Sequence, residues 1–85
     1  MLSDQRIEDR LREFILAEIG YEGPPERLTD QALLLEEGIL DSPALFHVIA
    51  FLEDAYAIEI AEADLSLENF ATIEVIARLT RSKIA

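Results

Sequence analysis

Hydrophobic residues recur along this chain at helical rather than strand spacing. Ile7, Leu11, Phe14 and Ile15 fall on one face of a 3.6-residue period, which predicts a first helix over about residues 3–19. Ser3 is placed to cap it, with Asp4 in the first turn, where a negative charge suits the helix dipole. Gly20, Gly23, Pro24 and Pro25 then stop the helix.

A connection over residues 20–41 follows, longer than a compact domain tolerates without internal structure. Leu28, Leu33, Leu34, Leu35, Ile39 and Leu40 pin it to the core, and a short helical turn is expected at Ala32–Glu37, closed by Gly38. Such an anchored return sets helices one and two side by side. The second helix is expected at 42–56, with Ser42 as N-cap and Pro43 in the first helical position, where a missing amide hydrogen costs nothing. Leu45, Val48, Ile49, Leu52, Ala55 and Tyr56 share its inner face, leaving Glu53 and Asp54 outside.

Ala57–Ile60 is a short apolar segment and Ala61–Asp64 a polar turn. A single-turn third helix is expected at about 65–70. Thr72 opens a fourth helix over 72–84, with Ile73, Ile76, Ala77 and Ile84 inward and Arg78, Arg81 and Lys83 towards its C-terminal end. No strand pairing with hairpin turn signals occurs. The expected fold is all-α: a single-domain four-helix bundle of three longer helices and one short, with a long connection between the first two.

Composition narrows the chemistry. The 85 residues suffice for one domain with a modest core. The absence of cysteine and the single histidine exclude disulfides, thiolate zinc sites and histidine-rich metal sites. The formal charge is −11, and no lysine or arginine lies between Leu28 and Ala77. A central field of one sign repels nucleic acid and anionic membranes and attracts basic protein surfaces. A plainer role for the same charge is solubility. Hydrophobic residues make up 51% of the chain, too many for a disordered acidic segment. The opening MLSDQRIEDR lacks the apolar run of a secretory leader, and no window approaches the roughly 18 apolar residues of a membrane span, so a cytoplasmic protein is expected.

Catalysis would have to use Ser42, His47 or the carboxylates. A serine nucleophile needs a base within reach, and five positions along a helix turn His47 about 140° away from Ser42. There is no G-x-S-x-G elbow and no D-x-D-x-D-G calcium loop. The pairs Glu36–Glu37 and Glu53–Asp54 are sequence neighbours whose side chains diverge, and they read as solvated charge. By local chemistry alone, Ser42 before Pro43 is an ordinary helix start.

The wider context gives Ser42 a second meaning. The stretch GILDSPALFHVIAFLEDAYAIEI, Gly38–Ile60, resembles the acyl carrier and peptidyl carrier protein family. It has a D-S dipeptide (Asp41, Ser42) at the start of the second helix, then an apolar-periodic helix ending in Glu53, Asp54 and Tyr56, then the segment Ile58 to Ile60. A first amphipathic helix, a leucine-anchored connection and a last helix opened by FATIEVIARL extend the resemblance over nearly the whole chain.

That resemblance implies a non-catalytic carrier. A phosphopantetheinyl transferase would attach 4′-phosphopantetheine from coenzyme A to Ser42, beside the motif residue Asp41. An adenylating acyl or aminoacyl ligase would load it, and downstream transferase or synthase enzymes would unload it. The carrier is expected to be monomeric. The phosphodiester is expected to meet free amides at the helix start. Two departures stand out: Pro43 where leucine is usual, and Ala44, His47 and Ala50 where carriers of fatty acid synthesis are acidic. "EEGILDS" is more similar to D-alanyl carriers and to discrete carriers of specialised pathways. The implied partner-docking residues are Pro43, Phe46, His47, Ala50, Phe51, Glu53 and Asp54. Phe46 and Phe51 either form an apolar contact surface or fold inward. A fatty acyl cargo would need an apolar cleft between the helices, whereas an amino acid would not. The rival reading is an unmodified acidic helical module that binds a basic partner and uses Ser42 only as a cap.

Overall fold

A computed structural model describes residues 6–84, and the expected cap at Ser3 and Asp4 lies outside them. Among the described residues the fold is all-α: α1 (Ile7–Phe14), α2 (Ser42–Tyr56) and α3 (Ile73–Ile84). No helix among these residues is long and apolar enough to cross a membrane.

α1 buries Ile7 and Leu11, as its period requires, and Ile15 just beyond it continues the same buried face. The first helix does not run on regularly to residue 19, because its last turn, Ile15–Ile19, widens into a π-helical turn. Gly20 ends it at φ +84°, a left-handed conformation open to glycine without a Cβ penalty. The main helix–helix contact is α1 against α3, whereas α2 meets the first helix through the π-helical turn and a Phe14–Phe51 ring stack at 4.4 Å. The side-by-side pairing expected of helices one and two is therefore the lesser contact.

The long connection is pinned at both ends. Arg12 Nε donates to the Leu28 carbonyl at 2.8 Å, and the Arg12 guanidinium pairs with Asp9 and Asp30. The Glu74 amide donates to the Asp30 carbonyl at 3.0 Å and the Leu34 amide to the Ala71 carbonyl at 2.9 Å, tying the connection to the start of α3. Leu28, Leu34 and Leu40 are buried, whereas Leu33, expected as an anchor, is exposed on the outer side of a single turn in which the Glu37 amide donates to the Leu33 carbonyl and which closes at Gly38 with φ +73°. Pro25–Arg27 adds a 3₁₀ turn.

The short third helix expected at 65–70 is replaced by two 3₁₀ turns, Glu62–Asp64 and Glu68–Phe70. Local side-chain bonds compete with helix formation here. Asp64 accepts from the Ala61 amide at 2.8 Å, Ser66 Oγ from the Asn69 amide at 3.2 Å, and Asn69 Nδ2 donates to the Asp64 carbonyl at 2.9 Å. Thr72 Oγ1 caps α3 through the Val75 amide at 3.1 Å. Ile84, expected inside, is half exposed, and buried Thr80 takes the inner position a turn earlier, its hydroxyl donating to the Ile76 carbonyl at 2.9 Å.

Candidate functional site

The start of α2 is built differently from the sequence expectation. Asp41, not Ser42, is the N-cap. Its backbone is extended (φ −102°, ψ −174°), its carboxylate accepts from the Ala44 amide at 2.9 Å, and its carbonyl accepts the first helical bond from the Leu45 amide at 2.9 Å. Aspartate is as good a cap as serine, and moving the cap back one residue brings the first helical bond to Leu45. Ser42 becomes the first helical residue and Pro43 the second. The Ser42 side chain is exposed and has no hydrogen-bond partner among the described residues, so its hydroxyl is left over for other chemistry.

The shifted cap also changes what an anion would meet. Pro43 has no amide hydrogen, and the Ala44 amide is taken by Asp41. A phosphodiester on Ser42 would find fewer free donors than an ordinary helix start offers.

Ser42 borders a groove of about 280 Å³ lined by Leu35, Leu45, Phe46, Leu65, Ser66, Leu67 and Phe70. Its lining is apolar apart from the two serines. Phe46 and Leu67, 61% and 77% exposed, stand at its edge, and Phe70 is buried at its base. Helical period alone does not mark Leu35, Leu65, Leu67 and Phe70 as site residues. The signal that could have found them is leucine at alternate positions around Ser66, in a stretch too polar and irregular to bury both.

The remaining docking candidates divide by position. His47, Ala50 and Asp54 are exposed along the α1 side of α2, where they line an open depression with Phe14, Phe46 and Phe51. Phe51 is half-buried, stacked on Phe14, with the Arg10 guanidinium 5.9 Å from its ring centre and 5.1 Å from that of Tyr56. Pro43 lines a smaller depression with Glu18, Ile19, Asp41, Ala44 and His47. Glu53, expected outside, is half-buried, and its carboxylate accepts from the Ile60 amide at 2.9 Å. That bond holds the segment after α2, whose last turn ends at Ala57 with φ +53°. Ile58 and Ile60 pack beneath it against the core.

His47 lines the two depressions on the α1 side and not the groove that Ser42 borders. No base accompanies the Ser42 hydroxyl in its groove, and no group of three or more His, Asp or Glu side chains among the described residues is arranged to hold a metal ion. No protein-family model matches the chain, and no curated protein sequence matches it.

Proposed function

We propose that the protein is a free-standing carrier that holds its cargo on a 4′-phosphopantetheine arm attached to Ser42. The observation that carries this reading is the placement of Ser42: an exposed hydroxyl, unused as a cap, in the first turn of α2 and at the mouth of an apolar groove. The three helices, with the paired 3₁₀ turns standing for the short third one, fit an acyl-carrier-like four-helix bundle. The groove suits the arm, since the attachment oxygen is open to solvent while apolar walls begin beside it. When attached, the arm supplies a terminal thiol that bears the cargo as a thioester. The protein's own residues present the attachment oxygen, shelter apolar cargo and offer surfaces to enzymes. Apolar walls from Leu35, Leu45, Phe46, Leu65, Leu67 and Phe70 favour an acyl cargo over an amino acid, whose ammonium group would find no carboxylate among them.

In this reading the chain is a monomeric, non-catalytic, cytoplasmic protein of a specialised pathway. It is served by a phosphopantetheinyl transferase, an adenylating acyl ligase and a downstream transferase or synthase. The test is intact-mass measurement after incubation with a phosphopantetheinyl transferase and coenzyme A. Wild-type protein should gain one phosphopantetheine and Ser42→Ala none. No addition to the folded wild type, or addition at Ser66 or Ser82, overturns the reading and leaves the unmodified acidic interaction module.

A further inference from the structure

The groove beside Ser42 is lined by two hydroxyls, and only one of them would survive attachment of an arm. Apart from Ser42 and Ser66 its walls are hydrocarbon. A phosphodiester on Ser42 consumes that hydroxyl hydrogen, which leaves Ser66 as the only side-chain donor lining the groove. Ser66 Oγ accepts from the Asn69 amide at 3.2 Å, and its own hydrogen has no acceptor among the described residues. A turn cap needs only the oxygen, so the hydrogen is unspent. The donor is also held in place. Asp64 fastens the turn before it, its carboxylate accepting from the Ala61 amide at 2.8 Å and pairing with Lys83 at 2.6 Å. Asn69 Nδ2 fastens the turn after it by donating to the Asp64 carbonyl at 2.9 Å. Leu65 and Leu67 flank the hydroxyl in sequence and line the same groove.

We infer that the groove selects a medium-length acyl cargo bearing a neutral oxygen acceptor, a hydroxyl or a ketone, and that Ser66 is the residue that recognises it. This deepens the carrier reading and rests on it. At about 30 Å³ for each water-sized group, the 280 Å³ of the groove hold about nine non-hydrogen atoms, the number in an octanoyl group with its carbonyl oxygen. An oxygen along such a chain gives up water on entering hydrocarbon walls, and that loss is made good only where a donor meets it. Ser66 is that donor, already positioned by the bonds that fix its turn. A carboxylate would be the wrong acceptor. Asp64 and Glu68 lie two residues to either side of Ser66, and no lysine or arginine lines the groove to offset their charge.

The test loads the full chain from octanoyl-, 3-hydroxyoctanoyl- and 7-oxooctanoyl-coenzyme A with a phosphopantetheinyl transferase. Cleavage of each thioester by hydroxylamine is then followed by intact mass. Dividing by the rate for the same thioester on free pantetheine removes differences in intrinsic reactivity. On the wild type, one hydrogen bond should protect at least one oxygenated cargo about two- to tenfold better than octanoyl. Ser66→Ala should abolish that difference and leave octanoyl protection unchanged, and Ser66→Thr, which keeps a hydroxyl, should restore it. Ser66→Asp keeps an acceptor for the Asn69 amide but has no hydrogen to donate, so it should unfold at the wild-type temperature and still lose the difference. Equal protection of all three cargoes on the wild type, or a difference that persists in Ser66→Asp, overturns the inference. So does a loss in Ser66→Ala that is as large for octanoyl, which would give the hydroxyl to the amides of the arm. Failure of any arm to attach defeats the carrier reading and this inference together, whereas a loaded chain that does not discriminate defeats this inference alone.

Discussion

Among the described residues Glu8 is the one buried carboxylate, at 5% exposure, and its partner comes from the far end of the chain. Arg81 on α3 donates to both its oxygens, at 2.6 and 2.9 Å, and Arg6 approaches to 3.5 Å. The hydrogen bonds from Arg81 outweigh burial, which opposes ionisation, and with the nearby positive charges they hold the Glu8 carboxyl down from 4.5 to about 2. A depressed acid stabilises the folded state above its unfolded pKa and loses that contribution as pH falls through its folded pKa. The window here runs from about pH 4.5 down to about 2. At 1.36 kcal/mol per pKa unit the full shift would be about 3.4 kcal/mol, but Arg81 and Arg6 are half exposed and solvent screens them, leaving about 1–2 kcal/mol. Glu8→Gln should therefore lower Tm at pH 6 by about 4–16 °C in a domain of this size. Shared effects of acid on this highly charged chain cancel in the difference between wild type and variant, which thermal unfolding from pH 6 to pH 2 would follow. That difference should shrink below pH 4.5 and nearly vanish at pH 2. The double variant Glu8→Gln/Arg81→Met should cost less than the sum of its parts, since no guanidinium is left without its carboxylate. A difference that stays constant down to pH 2, or a Glu8→Gln protein as stable as wild type at pH 6, refutes this account of the α1–α3 contact.

Two further outcomes follow from the start of α2. Asp41→Ala removes the N-cap bond to the Ala44 amide and should cost about 1 kcal/mol, a fall of about 4–8 °C in Tm; an unchanged Tm would show that the cap contributes nothing. Phe46→Ser should leave a folded domain, because only the 39% of Phe46 not exposed is lost, or about 0.6–1.2 kcal/mol of the 1.5–3 kcal/mol for full burial; loss of cooperative unfolding would place Phe46 in the core instead.

Where helical period and burial coincide, the sequence was legible. Ile7 and Leu11 on α1 with Ile15 just after it, Val48 and Leu52 on α2, and Ile73, Ile76 and Ala77 on α3 are the residues that repeat at 3.6 and are buried. Of the expected anchors in the long connection Leu28, Leu34 and Leu40 are buried and Leu35 and Ile39 pack against the core, but Leu33 is exposed, and the hydrogen bonds of Leu28 to Arg12, Leu34 to Ala71 and Asp30 to Glu74 were not visible, since such pairings depend on how distant segments meet. The single-turn third helix expected at 65–70 is cut to the 3₁₀ turn Glu68–Phe70, because Asp64, Ser66 and Asn69 bind nearby backbone, a competition that propensity alone does not decide. At the candidate site the dipeptide Asp41–Ser42 was legible as a helix start, but either residue can cap. Only the bond to the Ala44 amide assigns the role to Asp41 and frees Ser42. The groove beside Ser42 could not be read, because it forms from Leu35, Leu45 and Leu65–Phe70, three separate stretches with no shared period.

The misplaced cap bears on how a carrier built this way would treat its own arm. A phosphodiester on Ser42 would sit one residue from the Asp41 carboxylate, next to a proline that offers no amide and an alanine amide already bonded. The Ser42 groove and the two depressions beside it hold no lysine or arginine. Arg6, Arg12, Arg81 and Lys83 are paired with Glu8, Asp9, Asp30 and Asp64 away from those surfaces. In the carrier reading the protein would therefore give the phosphate little to hold on to, and the arm would be restrained mainly by what its cargo buries in the apolar groove. Cations for the phosphate would have to come from the enzyme that binds it. The acidic surface that draws in a basic partner would then also leave the phosphate free for that partner to grip.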